Sequence, residues 1–236
     1  EVQFKDVLIQ PLPSPKADDP FRPGFHLRTL KGKHGDRKYA IYVPEGYDGQ
    51  KTFPVVMFLH GSGERGDDGI ACAQVGLGPA ILNRPGGWPM IAIFPQAKDT
   101  WEGGSRDSLA AVEALDEVVK HYKTDPSRIY LTGLSMGGKG SWDLAAKEKD
   151  RFAAVVPICG SAHTGSLINL TKIPIWGFVG DADGDPLHIG MRITVEVLRS
   201  LGANPRYTEY RGVGHNSWDR AYHDPALLDW LLAQHK

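Results

Sequence analysis

Short runs of apolar residues recur along the chain, and most of them are continuous rather than alternating. A strand that is covered on both faces of a sheet has such a continuous run, because neither of its faces meets water. The pattern therefore predicts buried strands at residues 38–43, 54–59, 90–94, 128–132, 153–158, 173–179 and 206–210.

Amphipathic helices are predicted between the later strands. In residues 108–122 the apolar side chains recur every three or four positions, which aligns them on one helical face. Residues 189–201 and 226–234 repeat this spacing, and residues 138–147 are predicted to be helical directly after a strand. The predicted apolar faces comprise Leu109, Val112, Leu115, Val119 and Tyr122 in the first helix, Ile193, Val197 and Leu201 in the second, and Leu227, Trp230 and Leu231 in the third.

Alternation of strands and helices is typical of an α/β protein with a mostly parallel sheet and helices on both faces. We therefore expect one α/β domain over residues 24–236, preceded by an irregular, proline-rich N-terminal arm at residues 1–23. Residues 76–89 are rich in glycine and proline and are predicted to form a long loop that serves as a binding wall. The remaining chain leaves no room for a large lid domain.

Composition narrows the classes of partner. The chain has 236 residues and a net charge of −1, so no basic surface for nucleic acid is expected. Its longest apolar run, residues 55–59, is far too short to span a membrane. The expected partner is a small-molecule or polymer-borne substrate, and none of these features predicts an oligomeric state.

The first residue of the chain bears on its compartment. The chain starts at Glu1, so we expect a secreted or periplasmic protein after removal of a leader, with the cytoplasm as the alternative.

Two cysteines, Cys72 and Cys159, are too few for a disulfide framework. Cys159 closes an apolar run and is predicted to be a buried, unpaired thiol.

The most informative motif is Gly-Leu-Ser-Met-Gly at residues 133–137, because it lies between a predicted strand and a predicted helix. Glycines on either side of Ser135 permit a turn so sharp that side chains would strike the neighbouring strand and helix. Such a turn projects the serine hydroxyl at the carboxyl edge of the sheet. Ser135 is therefore the predicted nucleophile of acyl transfer.

A serine hydroxyl needs a base and an orienting acid, which follow it in the order acid, then histidine in this arrangement. His215 follows the last predicted strand and is the predicted base, whereas His163 precedes the acidic loop and breaks the order. The acidic loop offers three carboxylates. Spacing favours Asp183, which has room to turn toward the histidine loop, while Asp181 and Asp185 stay open as alternatives.

Two backbone N–H groups are predicted to stabilise the oxyanion. One belongs to Met136, directly after the nucleophile, and the other to Ser62, in the loop after the strand at residues 54–59.

No metal or cofactor is expected, because the chain has neither zinc-ligand spacing nor a nucleotide-binding glycine motif. The Asp-x-Asp-x-Asp spacing from Asp181 does not predict a calcium loop, since Pro186 replaces the required glycine and Arg192 the bidentate glutamate.

Two tryptophans are candidates for the substrate wall. Trp101 follows a strand at the edge where ligands bind in such sheets, and Trp218 lies three residues after His215. Either ring offers a flat surface for an aromatic or sugar-like group, although core packing accounts equally well for both.

The chain resembles the α/β-hydrolase superfamily over roughly residues 24–236. It is most similar to the bacterial phospholipase/carboxylesterase and dienelactone-hydrolase-like group, whose members are often labelled prolyl-oligopeptidase-family or putative peptidases. The resemblance implies a Ser135–His215–Asp183 triad and hydrolysis of carboxylic esters. It rests on residues 58–66 (Phe-Leu-His-Gly-Ser-Gly-Glu-Arg-Gly), 95–96 (Pro-Gln), 125–138 and 214–218 (Gly-His-Asn-Ser-Trp).

One segment departs from that group. Its members follow the acid with an aliphatic-Val-Pro run, whereas here residues 184–188 are Gly-Asp-Pro-Leu-His, which adds a charge beside the acid. The predicted function is a serine carboxylesterase acting on small, aryl or carbohydrate-linked acyl esters. A serine peptidase or amidase with the same triad is the alternative, and a non-catalytic binding module is a third hypothesis that leaves the triad without a purpose.

Overall fold

The computed structural model describes residues 21–236, in which eight strands form one mixed sheet. Within the sheet they follow the order β1-β2-β4-β3-β5-β6-β7-β8. β2 is antiparallel to both of its neighbours, and the pairs from β4 to β8 are parallel, which confirms the predicted sheet. The strands are β1 (Gly24–Leu30), β2 (Arg37–Val43), β3 (Phe53–Leu59), β4 (Ile91–Pro95), β5 (Thr124–Leu134), β6 (Ala154–Ile158), β7 (Trp176–Gly180) and β8 (Arg206–Tyr210).

Helices connect the strands. β4, β6 and β7 are buried at every position, so both faces of the sheet centre are covered, as continuous apolar runs predict. Of the predicted arm, residues 1–20 lie outside the described residues, and its boundary stays a prediction. The α-helices of the described part are α1 (Leu77–Asn83), α2 (Arg106–His121), α3 (Met136–Lys147), α4 (Asp185–Ser200), α5 (Trp218–His223) and α6 (Pro225–Leu232).

Two elements differ from the sequence prediction. The predicted loop at residues 76–89 contains α1, a helix of seven residues that the surrounding glycines and prolines obscure. β1 was not predicted either, because it is a half-exposed edge strand in which His26 and Arg28 interrupt the apolar pattern. Cys72 and Cys159 are buried and unpaired, which confirms the expectation of no disulfide framework.

The predicted inner face of α4 is wrong at two of its three positions, since only Val197 packs against the core. Ile193 and Leu201 are 50% and 40% exposed, whereas Met191 and Leu198 are fully buried. This helix carries two apolar faces, and periodicity alone does not decide which one turns inward. In α2 the prediction is confirmed for Leu115 and Tyr122, which are buried, and the buried face also includes the small side chains of Ala110, Ala111 and Ala114.

A buried carboxylate fixes the loop after β4. Asp107, only 5% exposed, accepts a charge-assisted hydrogen bond from Arg37 at 3.0 Å. Its second oxygen accepts the backbone N–H groups of residues 98, 99 and 100 at 3.1, 2.8 and 3.2 Å. Arg37 Nε also donates to the first oxygen at 3.2 Å, so five N–H donors offset the cost of burying this carboxylate and tie the loop to α2.

A buried histidine joins that loop to the loop after β3. His60 is inaccessible to solvent, and its Nδ1 lies 2.6 Å from the carbonyl oxygen of Gly61. Its Nε2 lies 2.9 Å from the backbone nitrogen of Ala97. The first contact needs a donor and the second an acceptor, so the ring is neutral with its proton on Nδ1. Burial lowers the pKa of His60 to about 4, in agreement with that assignment.

The neutral His60 makes stability depend on pH. In the unfolded chain the imidazole takes up a proton below about pH 6.5, whereas in the folded protein it does so only near pH 4. The unfolded state therefore binds more protons between these values, and the contribution of His60 to the free energy of unfolding is complete above pH 6.5 and falls as the pH is lowered, by up to about 3 kcal/mol. Chemical denaturation at several pH values should show that the substitution His60→Gln removes this part of the pH dependence.

The substitution His121→Gln, at an exposed position, is the control for the loss of one histidine side chain. A constant difference in stability between the wild-type protein and His60→Gln from pH 7 to pH 4.5 would contradict the assignment of a neutral His60.

Candidate active site

Ser135 lies on the sharp turn between β5 and α3. Its backbone has φ 55° and ψ −117°, a conformation that costs a non-glycine residue about 1–3 kcal/mol and is kept only where the surroundings enforce it. The surroundings here are very close: a Cβ on Gly137 would lie 1.9 Å from the carbonyl oxygen of Leu59, and one on Gly133 would lie 2.4 Å from that of Gly137. Only glycine fits both positions, and the partly exposed Ser135 is left at the carboxyl edge of the sheet.

A chain of hydrogen bonds joins Ser135, His215 and Asp183. His215 Nε2 lies 2.9 Å from Ser135 Oγ, and His215 Nδ1 lies 2.9 Å from each carboxylate oxygen of Asp183. The carboxylate requires a donor, so Nδ1 carries the proton and Nε2 accepts from the serine hydroxyl. Asp183 is only 4% exposed, which keeps its charge close to the imidazole and away from water.

The other two aspartates of the acidic loop lie away from the histidine ring. Asp181 accepts the backbone N–H of Gly212 at 2.6 Å and so fastens the loop that carries His215. Asp185 is exposed and begins α4, with Pro186 in the first turn, where proline is well tolerated. The unusual Gly-Asp-Pro segment therefore starts a helix and leaves the carboxylate of Asp183 in contact with His215.

Backbone contacts at the carboxyl ends of β6, β7 and β8 hold the three loops in register. Asp183 N–H donates to Gly180, and the N–H of residue 182 donates to Val213 at 3.0 Å. Ser135 N–H donates to Ile158 at 2.9 Å and also lies 3.3 Å from the sulfur of Cys159. Ser135 and Asp183 follow the buried carboxyl ends of β5 and β7, and His215 lies in the loop after the edge strand β8, which places all three at one edge of the sheet.

Cys159 lies behind the histidine–aspartate pair. Its sulfur, an Asp183 oxygen and a His215 nitrogen all lie within 4.8 Å of one another, which is close enough for a metal site. Burial raises the pKa of the Cys159 thiol to about 12, so the thiolate that a metal would need is strongly disfavoured. The arrangement therefore favours a hydrogen-bonded triad with a packed thiol beneath it.

One candidate oxyanion donor directly follows the serine, and the loop that carries the other lies next to it. Met136 is the first residue of α3, and the first N–H groups of a helix have no acceptor within the helix. Gly61, next to Ser62, approaches so closely that a Cβ on it would lie 3.6 Å from the Cβ of Ser135. The backbone of the loop after β3 is thus adjacent to the nucleophile, and His60 holds this loop through its contact with the carbonyl oxygen of Gly61.

Sequence reasoning missed the side chains that brace this loop. Gln96, only 2% exposed, donates to the carbonyl of Glu64 at 3.0 Å and accepts the N–H of Gly69 at 2.6 Å. His60 fixes the other end, as described above. The available signal was that both polar residues directly follow a buried strand, a place where the sequence pattern alone suggests only the start of a loop.

The predicted role of Trp101 in the substrate wall is wrong. Its ring is 1% exposed, and its indole N–H donates to the carbonyl of His60 at 2.9 Å. Trp218, in contrast, is only partly buried and packs edge-on against the His215 ring, with centroids 5.4 Å apart. Trp218 therefore stays a candidate for the wall of the substrate site, while Trp101 supports the loop beneath the oxyanion donors.

None of the helices in the described part of the chain is long and apolar enough to cross a membrane.

Comparison with known proteins gives a family and a relative of this chain. Residues 70–223 match the model of the dienelactone hydrolase family. A probable feruloyl esterase C from Aspergillus niger is 25% identical over 187 residues, which cover 78% of this chain and 69% of that protein.

Solved structures give the same result for the fold. A thermostable esterase superposes with a TM-score of 0.83 at 29% identity, over 90% of this chain and 63% of that one. A feruloyl esterase module from Clostridium thermocellum, in complex with sinapinate, superposes with a TM-score of 0.70 over 97% of this chain and 95% of that one, and at 19% identity it supports the fold alone. The matched family segment covers more than half of the chain and contains the Ser135 turn, Asp183 and His215, and the protein belongs to the dienelactone hydrolase family of α/β-hydrolases.

Proposed function

We propose that this protein is a serine carboxylesterase that hydrolyses carboxylic esters through an acyl-enzyme on Ser135. The observation that carries the proposal is the continuous chain of hydrogen bonds from Ser135 Oγ through His215 to the buried Asp183. A serine hydroxyl is a weak nucleophile by itself, and this arrangement supplies the base and the counter-charge that it needs.

The proposed reaction has two halves. As Ser135 Oγ attacks the ester carbonyl carbon, His215 Nε2 takes the proton of the serine hydroxyl. The carbonyl oxygen becomes negatively charged and accepts hydrogen bonds from the backbone N–H groups of Met136 and Ser62. The tetrahedral intermediate then collapses, the bond to the alcohol oxygen breaks, and His215 returns its proton to the leaving alcohol. A water molecule, deprotonated by His215, attacks the acyl-enzyme in the same way and releases the carboxylic acid and Ser135.

Asp183 acts through the histidine ring. Its carboxylate holds the Nδ1 proton, so Nε2 faces the serine in the accepting tautomer, and it stabilises the imidazolium that forms during attack. Because Asp183 is 4% exposed, water screens this attraction less than it would on the surface.

For the substrate class we propose esters with aryl or carbohydrate-linked acyl groups. The first support is the relative named as a probable feruloyl esterase, which matches most of this chain. The second is the partly exposed ring of Trp218 beside His215, which offers an aromatic surface next to the reacting carbonyl. The chain spans 63% of the thermostable esterase and 69% of the Aspergillus relative.

Replacement of the nucleophile tests the function directly. The substitution Ser135→Ala should lower kcat for 4-nitrophenyl acetate and methyl ferulate by about 10⁴- to 10⁶-fold with the fold intact, because the nucleophile is lost. The oxyanion donors and substrate binding remain and account for the residual activity. Circular dichroism and thermal unfolding serve as the control for folding.

The same assay should include peptide anilides. Efficient cleavage of anilides with negligible hydrolysis of esters by the wild-type protein would contradict the esterase proposal and favour a peptidase. Ester hydrolysis that survives in Ser135→Ala would contradict the assignment of the nucleophile.

The three aspartates of the acidic loop test the identity of the acid. Asp183→Asn should lower kcat by about 10⁴-fold, since the amide favours the wrong tautomer of His215. Asp181→Asn and Asp185→Asn are matched controls that remove the same charge from positions without contact to the ring, and they should cost about tenfold or less because water screens them. The kcat values of the three variants decide the assignment, and a greater loss for Asp185→Asn than for Asp183→Asn would overturn it.

A further inference from the structure

Two buried hydroxyl groups meet below the catalytic edge of the sheet. The side chains of Tyr222 and Thr132 are both buried, and their hydroxyl oxygens lie 2.8 Å apart. Thr132 belongs to β5, the strand that ends directly before Ser135, and Tyr222 belongs to α5, the helix that follows the His215 loop. This contact therefore joins the strand of the nucleophile to the segment that carries the base.

The direction of this hydrogen bond follows from the number of hydrogens. Thr132 Oγ1 also lies 2.7 Å from the carbonyl oxygen of Val156 on β6, which can only accept. The threonine gives its single hydroxyl hydrogen to that carbonyl, so the Tyr222 hydroxyl donates to Thr132. Burial raises the pKa of Tyr222, and the phenol therefore stays a donor throughout the pH range of an ester assay. We call this chain from Tyr222 through Thr132 to the Val156 carbonyl the hydroxyl relay.

The ring of Tyr222 packs against residues of the strands that lead to the site. It lies edge-on to the ring of Phe58, with centroids 5.9 Å apart. A Cβ on Gly76 would lie 2.7 Å from Leu134, 3.1 Å from the Tyr222 ring and 3.2 Å from the Phe58 ring, so these three side chains meet there. Apolar packing is non-directional, whereas the hydroxyl needs one distance and one angle. The relay therefore fixes the position of the ring on this apolar surface.

Helix α5 connects the position of Tyr222 to the catalytic base. Its first residue is Trp218, about one helical turn before Tyr222, and the Trp218 ring packs against the ring of His215 with centroids 5.4 Å apart. The N–H of Ser217 donates to the carbonyl of His215 at 2.8 Å. A displacement of Tyr222 would therefore move the His215 loop relative to Ser135 and change the distance of 2.9 Å between His215 Nε2 and Ser135 Oγ.

We propose that Tyr222 is a positioning residue of the triad, whose hydroxyl, held by Thr132, sets the distance between His215 and Ser135. The proposal rests on the proposed esterase function and extends it to a residue that acts only through His215. A misplacement of about 1 Å at a reacting group can lower a rate by about 10²-fold. Both halves of the reaction use His215 as the base, so a loss of the relay lowers kcat and leaves KM for a small ester nearly unchanged.

Substitutions at the two hydroxyl groups test the relay. Tyr222→Phe removes one oxygen, Thr132→Val replaces the hydroxyl by a methyl group, and Thr132→Ser keeps the hydroxyl. Tyr222→Phe and Thr132→Val should each lower kcat for 4-nitrophenyl acetate about tenfold with KM within about twofold of wild type, whereas Thr132→Ser should keep kcat within about twofold. The double variant Tyr222→Phe/Thr132→Val should lose no more than Thr132→Val alone, because both substitutions break the same hydrogen bond.

The rate at which a fluorophosphonate labels Ser135 provides a second readout. Labelling requires the serine and its base but no turnover, so this rate should fall by about the same factor as kcat. All rates are measured well below the unfolding temperature of each variant. A tyrosine that only supports the fold would lower that temperature and leave the labelling rate of the folded protein unchanged.

The matched control is Tyr130→Phe. Tyr130 lies on the same strand, five residues before Ser135, and its buried ring carries a hydroxyl that donates to the carbonyl of Gln234 at 3.1 Å. That hydrogen bond leads to the chain beyond α6 and has no connection to the His215 loop. Tyr130→Phe should therefore lower the unfolding temperature and leave kcat and the labelling rate within about twofold of wild type.

Three results would overturn the proposal. The first is a Tyr222→Phe variant with wild-type kcat and labelling rate, which decides the question even where Thr132→Val does not fold. The second is an equal loss of kcat in Tyr130→Phe, which would show a general loosening of β5. The third is a Thr132→Ser variant as impaired as Thr132→Val. A wild-type protein that hydrolyses no ester would instead refute the esterase function, and the labelling rates of Ser135 would still decide the role of Tyr222.

Discussion

The close approach of three backbone segments around Ser135 is the constraint on which the rest of the site depends. A single Cβ on Gly137 would strike the carbonyl of Leu59 at the end of β3, and one on Gly160 after β6 would lie 2.6 Å from the carbonyl of Ser135. The turn is therefore held between two strands, and this contact forces the serine into its φ 55° conformation. With the serine fixed, the histidine and the aspartate need only short loops from the next strands to reach it.

Rigidity of the surrounding loops comes from buried polar groups rather than from large side chains. His60, Gln96 and Asp107 each bridge segments that are distant in sequence, and each has its hydrogen-bonding groups satisfied. Such networks are costly when broken, because a buried acceptor or donor is then left unpaired. The loop beside the nucleophile is thus held in place before a substrate binds, which is what stabilisation of a developing oxyanion requires.

The central sheet and the three members of the hydrogen-bonded chain could be predicted from the sequence. Continuous apolar runs mark the strands, and the order serine, aspartate, histidine after successive strands is visible without knowledge of the fold. The side of α4 that packs inward could not, since both of its faces are apolar and only contact with β7, where Met191 approaches Gly177, selects one. Nor could Trp101 be placed, because a tryptophan after a strand suits a wall or a core equally, and the carbonyl of His60 that binds its indole lies 41 residues away in sequence. The predicted compartment and the boundary of the N-terminal arm stay predictions.

Mass-spectrometric mapping after reaction with a fluorophosphonate tests the central claim most directly. Such a probe captures only a serine that a neighbouring base has activated, so the account predicts a single adduct on Ser135 in the wild-type protein and none in Ser135→Ala. Ser62→Ala should still be labelled, because the proposed role of Ser62 uses its backbone N–H and not its hydroxyl. An adduct on a different serine, or no adduct on a folded protein that hydrolyses esters, would contradict the account.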